Sequence, residues 1–237
     1  TRNGIGIGLS FVRNPMGASD FARYHYSYDD LPPGQTDTNL TYFSIVHDQA
    51  DIIPLIQQAK QLNPQLKIMA SPWSPPGWMK DSGAMIGGSL LPSMYGPFAN
   101  YFVKYIQAYE AAGIPTDYIS LQNEPLYVPT DYPGMSMDSE TQTILLRDHL
   151  LPALSAKSIL SHDIVVRGWD DSGNYDASKH PMLQHHMDLL ELNRLEHFLA
   201  VLLFLHVDEV QHDDPAQIPQ PDLADDLLDG FEVGLDD

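Results

Sequence analysis

Cysteine is absent from all 237 residues, which excludes disulfides, thiolate zinc sites and thiol nucleophiles together. Positive charge is scarce: 12 Lys and Arg stand against 32 Asp and Glu, for a formal net charge of −20. A chain this acidic is repelled by phosphate backbones, so nucleic acid is not expected as a partner. Long apolar runs are missing as well. The longest, Phe198 to Leu205, falls far short of the roughly 18 residues a membrane span needs. The opening TRNGIGIGLS has neither an initiator Met nor the apolar core of a signal peptide, and the chain is expected to begin inside a larger protein. What is present suits a folded domain, because 43% hydrophobic and 10% aromatic residues supply material for a core.

The acidity is uneven. Residues 1–171 hold ten Lys and Arg against seventeen Asp and Glu, whereas residues 172–237 hold Lys179 and Arg194 against fifteen acids. Trp73, Trp78 and Trp169 all precede that change. Two segments of different character are therefore expected, 1–175 and 176–237.

The first segment repeats a short apolar strand, a Pro/Gly-rich loop and an amphipathic helix. Strands are predicted at 9–14, 67–71, 118–122 and 163–167, as parallel neighbours. One helix face carries Ile52, Leu55, Ile56, Ala59 and Leu62 and stops at Asn63-Pro64. A second stripe runs from Phe98 to Tyr109 and closes near Gly113, and a third helix follows Asp138 through Ile144, Leu151 and Leu154. Long loops after strands are where a (β/α)8 barrel builds its site. A doubly wound sheet has the same period, but no G-x-G-x-x-G or P-loop follows any strand. GIGIG at residues 4–8 precedes a strand and reads as a helix-to-strand turn.

Gln122-Asn123-Glu124-Pro125 lies at a predicted strand end, where a carboxylate would face the mouth of a barrel. An amide beside an acid suits glycoside chemistry, the amide holding a sugar hydroxyl while the acid protonates the glycosidic oxygen. N-E-P is equally an ordinary loop start. After another strand end, SPWSPPGW places Trp73 and Trp78 in a rigid turn. An indole face stacks on the C–H face of a pyranose, which suits Trp73, while Trp78 reads as rim packing. Arg13 and Asp20, in RNPMGASD, are either a sugar- and carboxylate-orienting pair or a structural ion pair.

Taken in order, SFVRNPMGASDF, YHYSYDD, MASPWSPPGWMK, GGSL, YFVKYIQAYEAAGI and LQNEPLYVPTDYPGMSM resemble glycoside hydrolase family 30 over about residues 5–171. The likeness is greatest to its glucosylceramidase-type and β-glucanase members. The resemblance implies a partial (β/α)8 TIM barrel, about strands two to five, and retaining hydrolysis of a β-glucoside or glycolipid such as glucosylceramide. It implies Glu124 as general acid/base, Asn123 on the sugar 2-hydroxyl, Trp73 and Asp20 lining the glycone pocket, and Arg13 beneath the acid. Trp169-Asp170-Asp171 resembles the family's next loop more weakly. No metal or cofactor is implied, and a secreted or extracytoplasmic setting is.

A retaining glycosidase needs a second carboxylate as nucleophile. Glu191, Glu196, Glu209 and Glu232 do not stand at a strand end, so the nucleophile is unassigned and the chain is expected to be incomplete. The alternative is a non-catalytic remnant with weak carbohydrate binding. Residues 182–207 read as helical, their histidines lack a metal-ligand pattern, and the stretch from Gln211 reads as a solvated acidic tail.

Overall fold

The computed structural model describes residues 8–157, Ile159 and the backbone of Val165–Arg167. Residues 4–7 of the predicted turn at 4–8, the Trp169-Asp170-Asp171 segment, the helix at 182–207 and the acidic tail lie outside the described residues.

Four parallel strands form one sheet in the order β1-β2-β3-β4: β1 Phe11–Pro15, β2 Lys67–Ser71, β3 Tyr118–Ser120 and β4 Val165–Arg167. Phe11 pairs with Lys67, Met69 with Tyr118, and Tyr118 with Val165. Each pair needs a crossover, and the helices supply it. β1 starts two residues later than the apolar pattern suggests, after exposed Leu9 and Ser10. β3 ends two residues earlier because the chain bends after Ser120, and the Asn123 N–H donates to the Pro72 carbonyl at 2.8 Å. That bend presents Asn123 and Glu124.

α1 (Ile52–Leu62) buries Ile53 and Ile56. It ends where the Asn63 N–H closes on the Ala59 carbonyl and Pro64 has no N–H to continue the ladder. α2 (Tyr95–Ala111) packs Phe98, Tyr101, Phe102, Tyr105 and Tyr109 into the core. Gly113 stops it in the left-handed region at φ 78°. Its N–H returns to the Glu110 carbonyl, and that of Ile114 to Tyr109 at 2.9 Å, the paired bonds of a Schellman end. The third helix differs from its prediction. Asp138 caps it by accepting from the Thr141 N–H at 2.8 Å, but α3 (Ser139–Ile144) passes through a π segment, Leu145–Leu150, before α4 (Leu151–Ala156). Pro152 explains the widened turn, since it cannot donate to the carbonyl four residues back and its ring would strike it.

Behind β1 lies a buried polar network. The Asp48 carboxylate is 0% exposed and accepts hydrogen bonds from the hydroxyls of Tyr26, Tyr28 and Tyr109. Asn14 Nδ2 donates to Tyr105 at 3.0 Å and Tyr109 at 3.2 Å. Burial, with Asp48 adding its charge, holds these four phenols above their ordinary pKa, so they remain neutral.

Candidate active site

Successive side chains of β1 point to opposite faces, so Arg13 faces away from Asn14 and its helices. Its guanidinium donates from Nη2 to Asn123 Oδ1 at 2.9 Å and to Ser71 Oγ at 3.0 Å. Ser71 in turn meets Ser120 Oγ at 2.6 Å, which ties the ends of β2 and β3 together. The same guanidinium lies 4.7 Å above the Trp73 ring. A cation on an indole face at this range contributes about 0.5–1 kcal/mol or more once desolvated.

Asn123 Nδ2 reaches Glu124 Oε2 at 3.4 Å. Arg13 thus holds the oxygen of the amide and turns its nitrogen toward the acid. Glu124 is half-buried and has φ 43°, the left-handed region that a residue with a Cβ seldom occupies. Strain of this kind persists where surrounding bonds over-determine the chain. Here the Tyr127 N–H returns to the Glu124 carbonyl at 2.9 Å, and Met137 to Pro125 at 2.8 Å. Gln122 is buried and donates to the Trp73 carbonyl at 2.7 Å, locking the tryptophan loop to the glutamate loop.

The geometry therefore gathers Arg13, Trp73, Asn123 and Glu124 at the C-terminal ends of β1, β2 and β3. Asp20 is exposed in the loop after β1. That loop turns sharply at Gly17, φ 83°, where a Cβ would stand 3.0 Å from the Tyr26 carbonyl. No hydrogen bond among the described residues joins Asp20 to the other four; it bears on them only as a charge, behind burial, Glu124 and Tyr127 among the causes that hold the Tyr132 phenol above its ordinary pKa. Trp78 sits apart at the rim, its Nε1 donating to the Asp29 carbonyl at 2.8 Å.

Tyr127, Tyr132 and Lys80 were not singled out from sequence. The two tyrosines stack at 6.5 Å beside Glu124, but nothing in their spacing marks them. Lys80 is 3% exposed and donates to Ser74 Oγ at 2.9 Å, the Met85 carbonyl at 2.7 Å and the Gly134 carbonyl at 2.9 Å. It joins the loop after Trp73 to the loop after Glu124. A lysine amid prolines, glycines and tryptophans was the available signal. Among the described residues no group of three metal-ligating side chains forms, and no helix is long and apolar enough to cross a membrane.

The glycosyl hydrolase family 30 TIM-barrel domain matches residues 3–178. The chain belongs to glycosyl hydrolase family 30. It is 37% identical over 169 residues to the endo-1,6-β-D-glucanase BGN16.3 of Trichoderma harzianum, covering 66% of this chain and 34% of that protein. It is 32% identical to the lysosomal acid glucosylceramidase of Mus musculus, covering 70% of this chain and 33% of that protein. Among solved structures, SrfJ from Salmonella typhimurium superposes with a TM-score of 0.62 at 33% identity, over 68% of this chain and 35% of that one. The endo-β1,6-glucanase BT3312 superposes at 0.63 and 29% identity, over 70% and 36%. This family 30 chain spans about a third of the length of these relatives. Its open four-stranded sheet is part of a TIM-barrel domain.

Proposed function

We propose that this family 30 chain carries the acid/base half of a retaining β-glucoside hydrolase site. One observation carries the reading: Glu124 stands in a strained turn at the sheet's C-terminal end, beside an amide that Arg13 holds at 2.9 Å. In this reading Glu124 protonates the departing glycosidic oxygen and later takes a proton from water. Asn123 Nδ2 binds the sugar 2-hydroxyl, the Trp73 face packs against the ring, and Asp20 accepts from outer hydroxyls. Arg13 is a positioning residue that acts through Asn123. The sheet supplies strands two to five of the barrel, residues 1–175 form the hydrolase segment, and the second carboxylate is unassigned. The substrate is a β-glucoside. Glucosylceramide and β-1,6-glucan are both candidates, since the relatives include a glucosylceramidase and endo-1,6-β-glucanases.

The test is turnover of an aryl β-glucoside, a β-1,6-linked gluco-oligosaccharide and glucosylceramide by the chain and by Glu124→Gln. Turnover of the oligosaccharide or lipid that falls about 10²–10⁴-fold in the variant supports the reading. The aryl glucoside, whose leaving group needs no proton, should suffer less in its first step. Equal turnover by both proteins overturns it. A second reading, weak carbohydrate binding without turnover, has one observation in its favour. Among the described residues the other glutamates, Glu110 and Glu140, are both exposed on helices. Inert chain whose tryptophan fluorescence still changes on adding gluco-oligosaccharide, a change lost in Trp73→Phe, selects it.

A further inference from the structure

The loop between β1 and α1 holds the chain's single Asn-x-Ser/Thr tripeptide, Asn39-Leu40-Thr41, with leucine in the middle and no proline after it. The tripeptide forms a turn whose two ends face outward and whose middle faces inward. Asn39 and Thr41 are exposed, while Leu40 is 0% exposed and adopts φ 53°. The turn is pinned from beneath. The Leu40 N–H donates to the Asp37 carbonyl at 2.9 Å, and the Tyr42 N–H to Asp37 Oδ2 at 2.8 Å. Lys104 of α2 donates from Nζ to the Leu40 carbonyl at 2.6 Å. No hydrogen bond from a described residue engages the side chains of Asn39 and Thr41. Everything that holds this turn runs through its backbone and through Leu40, and the carboxamide and hydroxyl are left to solvent.

We propose that Asn39 is an N-glycosylation acceptor, modified in a secretory compartment with a lipid-diphosphate-linked oligosaccharide as donor. Asn39 Nδ2 attacks the anomeric carbon of the donor sugar. The N–C1 bond forms as the bond from C1 to the diphosphate oxygen breaks, the diphosphate leaves with the electron pair, and the amide loses one proton to a base. The Thr41 hydroxyl is the group by which the transferase reads the tripeptide. Transfer takes place on the extended chain before the turn closes. The fold then keeps the product in water, because a bulky, solvated group on Asn39 displaces neither Leu40 nor Lys104. Modification here does not depend on the hydrolase reading.

The chain is expressed behind a cleavable secretion leader in a eukaryotic host. It is recovered from the medium or from the secretory compartment, and digested with a peptide:N-glycosidase before mass analysis of the denatured peptides. Release of a glycan with conversion of Asn39 to aspartate is expected, lost in Asn39→Gln and in Thr41→Ala and retained at reduced occupancy in Thr41→Ser. Because occupancy is read on denatured peptides, a variant that fails to fold still gives an answer. Recovery of leader-processed protein with Asn39 unmodified, or a glycan that persists in Asn39→Gln, overturns the proposal.

Discussion

Arg13 and Asn14 are neighbours on one strand, yet they enter polar environments of opposite kind. Asn14 is 4% exposed and belongs to a network in which Asp48 and four tyrosines bond one another behind the sheet. Arg13 is half-buried and faces a mouth where the acid has a left-handed backbone and the Asn123 amide reaches it at 3.4 Å. The buried side is well paired, which makes a unique, rigid arrangement. The open side keeps a half-buried acid in a left-handed backbone, and strain of that kind clusters where ligands are held. Burial and backbone conformation therefore separate scaffold from site more cleanly than polar composition does.

The largest expected effect would break this comparison if it failed. Asp48→Ala leaves three buried phenols without their acceptor, and at about 1–3 kcal/mol for each unsatisfied group the loss should reach about 3–5 kcal/mol after relaxation. Urea unfolding should show it as a large drop in midpoint, whereas Glu124→Gln should change stability by no more than about 0.5 kcal/mol. A neutral Asp48→Ala would mean that the network is ornament and the contrast false.

Asp29 stands between the two cases and sharpens the comparison. It is 1% exposed, and neither carboxylate oxygen meets a donor among the described residues. Burial, then the charges of Asp37 and Asp30, raise its pKa to about 6, against a lowering by Lys104. The unfolded carboxyl titrates at its ordinary value near 3.9. Between about pH 4 and 6 the folded state therefore binds more protons than the unfolded state, so this group's contribution is present below pH 4 and is lost as pH rises through 6. Asp29→Asn should leave the thermal midpoint nearly unchanged at pH 4 and raise it by a few degrees at pH 7.5. A variant less stable than the parent at pH 7.5 would show that the carboxylate is paired after all.

The smallest effect probes the strain itself. Glutamate and alanine both carry a Cβ into the left-handed region at residue 124, and glycine does not. Glu124→Gly should therefore be about 1 kcal/mol more stable than Glu124→Ala, measured by urea unfolding of the two variants. Equal stabilities would show that the bend at Glu124 stores no strain.

Much of the fold was legible because parallel βα units write themselves locally. β2 matches its predicted span because Pro72 ends it abruptly, and Gly113 marks the end of α2 because the Schellman end needs a left-handed residue. The π segment was not legible, since Pro152 within a helical pattern is as consistent with a break as with a widened turn. Asp48 was invisible for a related reason. It lies in a short 3-10 turn, Val46–Gln49, and looks like any surface aspartate until Tyr26, Tyr28 and Tyr109 arrive from distant segments.

By itself the sequence determined the order of strands and helices, the strand-end placement of Glu124, Asn123 and Trp73, and the acidity that sets phosphate backbones aside. These follow from periodicity, from proline and glycine, and from net charge, all readable within a few residues or from the whole sum. Only the tertiary structure decided that Arg13 speaks to Asn123 across 110 positions, that Lys80 ties two loops, and that Glu124 is bent into a left-handed turn. Those depend on which loops meet above the sheet, and the register of three strands carries that information, which no local pattern contains.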